Sequence, residues 1–266
     1  HMSWLHCFWG VGTVISPYIM SFSLTRGFGW GMGYRSVAVV QMVLTVCLFL
    51  SLPLWSRRKT DSPEEGNARG LSLPQVLKIG GGKFVLLTFF GYCALEGTAG
   101  IWASSYLVQY RGIDSETAAM FASLFYIGIT AGRFLGGFIS ERLGDKRLIR
   151  YGIVIIIAGV LLVGIPFDAD WPGLFGLIVI GLGCAPVYPS IIHATPDNFG
   201  KENSQAVIGM QMASAYVGST FMPPLFGLIA GNISIGFYPL FLLVFAVLML
   251  GMSESLNRYK VRRKAA

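Results

Sequence analysis

Tyr151-Gly152-Ile153-Val154-Ile155-Ile156-Ile157-Ala158-Gly159-Val160-Leu161-Leu162-Val163 is the stretch that decides the fold. It carries no charge and shows none of the period-two alternation of a membrane β-barrel strand, so in hydrocarbon only a helix satisfies its backbone groups. It lies within an apolar segment, Leu148–Phe167, and seven more follow the same pattern: Ser3–Leu24, Tyr34–Trp55, Phe84–Tyr110, Ala118–Ile139, Pro172–His193, Gln205–Ala230 and Ile235–Met252. Each is roughly 20 residues long, enough to cross about 30 Å of hydrocarbon. The repetition excludes a signal peptide as the explanation. The predicted fold class is therefore an all-α membrane protein, a polytopic helical bundle of about eight transmembrane helices.

Composition agrees. Of 266 residues, 54% are hydrophobic and only 12% charged, and the mean hydropathy is +0.63, too apolar for an ordinary water-soluble domain. The net charge of +7 does not point to nucleic acid, because the basic residues lie in loops between apolar spans rather than on a polar face. Sorted into the two alternating sets of loops, they are strongly unequal. Sixteen of the 20 Lys and Arg fall in the linker after the second span, the turns after the fourth and sixth, and the tail; only Arg26, Arg35 and Arg111 fall in the other set, and Arg133 lies within a span. The positive-inside rule then places the first set, with both termini, in the cytoplasm.

Four segments follow from this pattern. Residues 1–55 hold two helices, residues 56–82 form a polar cytoplasmic linker, residues 83–256 form a six-helix unit built from two three-helix repeats, and residues 257–266 are a basic cytoplasmic tail. Cys7, Cys47, Cys93 and Cys184 lie singly inside apolar spans, without metal-ligand spacing, and read as small buried hydrophobes. No cofactor and no metal is implied.

One loop carries a signature. Gly132-Arg133-Phe134-Leu135-Gly136-Gly137-Phe138-Ile139-Ser140-Glu141-Arg142-Leu143-Gly144-Asp145-Lys146-Arg147 joins the fourth and fifth spans. Glycines there permit close helix approach, and acidic and basic groups at the membrane surface form a network that breaks as helices rock. The alternative for Arg147 and Arg150 is a simple anchor at the positive side. The stretch resembles the cytoplasmic loop signature of the major facilitator superfamily, with Glu141 at its acidic position and Asp145 at one that is usually basic. His6-Cys7-Phe8-Trp9-Gly10-Val11-Gly12 and Gly181-Leu182-Gly183-Cys184-Ala185-Pro186-Val187-Tyr188-Pro189 are similar to the fifth and tenth helices of the fucose:proton symporter branch. The resemblance implies a major facilitator-like bundle in which these eight helices match the fifth to twelfth of twelve, with the first four missing and the chain partial. It further implies a secondary carrier in a bacterial plasma membrane, with a small polar, sugar-like solute and protons as its partners. By the same resemblance Arg133, Gly137, Glu141, Arg142, Gly144, Asp145 and Arg147 form a cytoplasmic gate.

Glu96 is the leading candidate for chemistry. A carboxylate midway along a membrane helix costs roughly 2.5–3.5 kcal/mol on insertion scales unless it is paired, hydrated or protonated. Such a group suits a proton relay; the alternative is a protonated side chain bonded to a neighbouring helix for packing. Trp102 and Tyr106 are four residues apart on the same helix, and with Gln211 and Tyr188 they are candidates for a solute-binding wall; the alternative for the two aromatics on that helix is the interfacial belt. Arg133 either snorkels towards the surface or pairs with an acid. Pro186, Pro189, Pro223 and Pro224 predict kinks in two helices. His193 reads as a helix terminus.

Two other classes fit less well. A membrane-embedded enzyme needs clustered acids, histidines or serines, and the spans hold no such cluster and no G-x-S-x-G or H-E-x-x-H motif. A channel would show a repeated pore or filter element, which is absent from the sequence, and a truncated non-transporting scaffold is the reading that gains if eight helices are all there is.

Overall fold

A computed structural model describes residues 8, 10–13, 15, 19, 20, 22, 23, 25–55, 73–165 and 169–265. Among them the elements are α1 (Gly29–Trp55), α2 (Leu73–Lys78), α3 (Gly82–Gln109), α4 (Ser115–Leu143), α5 (Asp145–Gly164), α6 (Trp171–His193), α7 (Thr195–Phe199), α8 (Lys201–Asn232), a 3-10 turn (Ile235–Phe237) and α9 (Tyr238–Ala265). Seven of these helices are long and apolar enough to cross a membrane. The chain is an all-α, multi-pass membrane protein. Most of the first expected span, Ser3–Leu24, lies outside the described residues, as does the linker from 56 to 72. The chain divides into two compact units, one holding α1 and the other holding α2 to α9.

Helix ends follow local chemistry. Asp114 caps α4, its Oδ1 accepting from the Thr117 amide at 2.9 Å. Gly144, at φ 72°, makes the single-residue turn from α4 to α5 that a side chain would strain. Two predicted boundaries move. The polar linker ends in a short helix, α2, and the last span does not stop at Met252 but continues as α9 to Ala265. The residues expected as a basic tail continue in helix to Ala265, where Arg150 on α5 grips Glu254 through two 2.7 Å bonds and Lys260 donates to the Asp197 carbonyl at 2.9 Å and to the Asn198 side chain.

The larger unit has an internal two-fold logic. α3 packs on α8 as α6 packs on α4, α3 packs on α9 as α6 packs on α5, while α3 meets α6 and α5 meets α9. Exchanging α3, α4 and α5 with α6, α8 and α9 maps these contacts onto one another, although α3 also packs on α4 whereas α6 and α8 do not pack closely. α3 and α6 lie innermost, their buried cores including Phe89, Tyr92, Leu95, Leu177, Ile180 and Cys184. Cys93 and Cys184 are buried as expected, whereas Cys47 is exposed on α1; the surface of a membrane span is itself apolar, so its thiol needs no core.

Without a hydrophobic drive between helices in lipid, close packing decides which of them associate. α5 and α6 meet through four glycines seven apart in pairs. A Cβ on Gly183 would stand 2.7 Å from the Gly152 carbonyl oxygen and one on Gly152 would stand 2.7 Å from that of Gly183; Gly159 and Gly176 are related in the same way at 2.9 Å. Backbone cannot yield as a side chain can. Gly183→Val is therefore expected to destabilise by about 1–3 kcal/mol or more, read as a lower melting temperature in detergent, while Gly251→Val on α9, where a Cβ meets nothing within 4 Å, leaves it in place. Equal melting temperatures would show that α5 and α6 are not locked by this contact.

Candidate functional site

Glu96 sits midway along α3 and Arg133 in the last third of α4, and the fold brings them together. Arg133 Nη2 stands 3.7 Å from Glu96 Oε1, with the two side chains 4% and 15% exposed. That distance is an ion pair but longer than a hydrogen bond, and Glu96 Oε1 is buried without a hydrogen-bond partner. Arg133 thus turns inward to an acid and does not snorkel to the surface. Burying both charges is costly, and the attraction between them offsets that cost only in part.

Aromatic rings enclose it. Tyr92, one turn before Glu96 on α3, donates its hydroxyl to the Cys184 carbonyl on α6 at 3.1 Å. Tyr188, one turn after Cys184, packs on Phe89 at 4.8 Å and on Tyr92 at 5.9 Å between ring centroids. The Arg133 guanidinium lies 6.0 Å from the Tyr188 ring centroid, within reach of a cation–π attraction. The Tyr188 hydroxyl meets Met212 Sδ on α8 at 3.4 Å. Tyr126 on α4 presses its hydroxyl against Gly100 on α3, one turn along from Glu96. The result is a partly buried ion pair with ring faces and phenolic hydroxyls around it, contributed by α3, α4 and α6.

The other predicted wall residues go elsewhere. Trp102 Nε1 donates to the Pro223 carbonyl at 3.0 Å and its ring meets Phe226 edge-on at 5.4 Å, so it braces α8 beside the Pro223-Pro224 pair. Tyr106 is buried, its hydroxyl bonded to the Val163 carbonyl at 3.2 Å and its ring stacked between Tyr110 and Tyr238. Gln211 is fully buried, with Nε2 donating to Thr195 Oγ1 at 3.1 Å. Tyr188 alone of the four joins Glu96.

The predicted gate lies at the junction of α4 and α5. Asp145 Oδ2 is 2.7 Å from His193 Nδ1 at the end of α6, so the acid at the unusual position of the motif has a partner that the sequence reading treated only as a helix terminus. Arg142 and Arg147 are exposed, and Gly137 is half-buried in α4. Glu141 is helical in backbone, and its side chain lies outside the described residues.

Comparison with known proteins gives a consistent picture. A model of the Major Facilitator Superfamily matches residues 84–256. An MFS-type transporter of Yersinia pestis is 25% identical over 89% of this chain and 56% of its own length. A probable nitrate/nitrite antiporter of Thermus thermophilus is 26% identical over 80% of this chain and 52% of its own. The chain thus spans about half the length of these curated relatives. Among solved structures, the major facilitator transporter FucP in its outward conformation superposes with a TM-score of 0.70 at 16% identity, covering 85% of this chain and 56% of that one.

Proposed function

The chain belongs to the Major Facilitator Superfamily, and on that premise we propose that it works in secondary active transport of a small polar solute by alternating access, with Glu96 as the proton relay and Arg133 as its counter-charge. The observation that carries this reading is the buried Glu96–Arg133 pair at 3.7 Å among aromatic rings. A carboxylate that exchanges its partner for a proton gives a membrane carrier two electrical states, and a carrier coupled to protons needs both. The ring face of Tyr188, which is only partly buried, suits the apolar face of a sugar, and its hydroxyl suits the polar edge. Putative glucose/galactose transporters of Helicobacter pylori and a hexuronate transporter of Escherichia coli are among the relatives, at 22–25% identity, which favours a sugar-like solute. Asp145 and His193, with Arg142 nearby, form the gate in this reading, on the cytoplasmic side of a bacterial plasma membrane together with both termini.

Arg133 favours a second reading in which the solute is acidic. A buried guanidinium recognises a carboxylate or oxyanion, and the hexuronate and nitrate/nitrite transporters are named for anions. The test is uptake into proteoliposomes under an inward proton gradient, with labelled glucose, galactose, glucuronate and nitrate supplied separately. Accumulation of a neutral sugar supports the first reading and accumulation of only the anions supports the second. A correctly inserted protein that moves none of them, with or without the gradient, leaves a non-transporting scaffold.

A further inference from the structure

A cavity of about 230 Å³ opens at the basic end of the larger unit, away from the Glu96 site, between α5, the α6–α7 turn and α9. Its lining is mixed: Ile149, Leu256 and Val261 are apolar, and Lys146 from α5, Asn198 from α7 and Lys260 from α9 are polar. We propose that this cavity is a binding site for a phosphate-bearing group, held between Lys146 and Lys260 and bonded by the Asn198 amide.

Four observations support the assignment. Two cationic side chains from different helices converge on one cavity, so an anion there is attracted from both sides. Lys260 is held in place by two neutral oxygens, the Asp197 carbonyl at 2.9 Å and the Asn198 side chain, which aligns its ammonium at the rim. Of the three carboxylates adjacent in sequence to lining residues, Glu254 pairs with Arg150 and Asp145 with His193, and Asp197 is exposed, meeting Lys260 through its backbone carbonyl. The apolar part of the lining suits an amphiphile whose phosphate meets the lysines while its glycerol and first methylenes rest on Ile149 and Leu256. Basic pockets between helix ends bind lipid headgroups by this combination, and each nearby Lys contributes roughly a fivefold preference for an anionic lipid. A membrane lipid and a dissolved phosphate compound offer the same chemistry, and the experiment separates them.

The full chain is purified into mixed micelles holding phosphatidylglycerol and phosphatidylcholine in equal amounts, and the retained lipid is read by native mass spectrometry. One phosphatidylglycerol per chain is expected, preferred by roughly tenfold or more; the preference is lost in Lys146→Gln/Lys260→Gln and kept in Arg258→Gln, an exposed residue of α9 that does not line the cavity. Should the double variant fail to fold, Asn257→Phe fills the cavity with both lysines in place and is expected to abolish the preference alone. Absence of lipid selection, with inorganic phosphate raising the melting temperature only while both lysines are present, assigns the cavity to a dissolved phosphate compound. Neither effect, or an equal loss in Arg258→Gln, overturns the proposal by showing general surface charge alone.

Discussion

Glu96→Gln is expected to abolish proton-driven accumulation of solute while leaving exchange of solute across the membrane. Gln keeps the shape and the acceptor oxygen of the side chain, so packing against Tyr92 and Arg133 is preserved. It cannot take up a proton on one side and release it on the other. Solute then equilibrates without being concentrated. The substitution removes a charge and almost no volume from a group only 15% exposed, so any loss of stability comes from the uncompensated Arg133 and not from a cavity. The measurement is uptake into proteoliposomes with and without an imposed proton gradient, followed by counterflow of preloaded solute. Accumulation that survives the substitution removes Glu96 from coupling. Loss of counterflow as well moves its role from coupling to solute binding or to the structure of the bundle.

The fold was legible because hydrocarbon imposes so few solutions. Apolar length alone located Trp171–His193 to within one residue of the predicted segment. Helix ends were less legible. α9 runs on to Ala265, held by Arg150 and by α7, and such contacts between distant segments leave no periodicity. The glycine contacts of α5 with α6 were open to view as two pairs spaced by seven, Gly152 with Gly159 and Gly176 with Gly183, but spacing does not name a partner helix. At the site, Glu96 was conspicuous because charge in a span is rare. Tyr92 was missed although it lies four residues before Glu96, one helical turn away on the same face, because an aromatic in an apolar helix carries no distinguishing cost. Trp102, Tyr106 and Gln211 showed the reverse. Each has the polar handle of a binding residue, and each spends it on a neighbouring helix: Trp102 on Pro223, Tyr106 on Val163 and Gln211 on Thr195. Hydrogen-bond donors buried among apolar helices are satisfied by whatever acceptor is near, so residue type alone does not separate a bundle's internal bonds from its ligand contacts.

Arg133→Gln is expected to destabilise the protein more than any other single change at the site, and the damage is expected to be repaired by a second substitution. With Arg133 at 4% exposure and Glu96 at 15%, removing the cation leaves a buried carboxylate without its counter-charge, a change that typically costs about 3–5 kcal/mol. Glu96→Gln alone leaves the guanidinium in the same position, where the Tyr188 ring at 6.0 Å compensates only a fraction, about 0.5–2 kcal/mol. The double variant Glu96→Gln/Arg133→Gln removes both charges, so that neither is left without its counter-charge. Its melting temperature is expected to lie closer to that of the parent than either single variant's, a coupling that a double-mutant cycle measures directly. Transport is expected to follow a different course. If the pair serves only to hold α3 against α4, the double variant regains transport together with stability. If the pair is the switch of the transport cycle, stability returns and concentrative uptake does not, because no charge is left at the centre of the bundle to exchange a proton for a partner. Recovery of both would reduce Glu96 and Arg133 to packing, and the solute and its coupling would then have to be sought elsewhere in the protein.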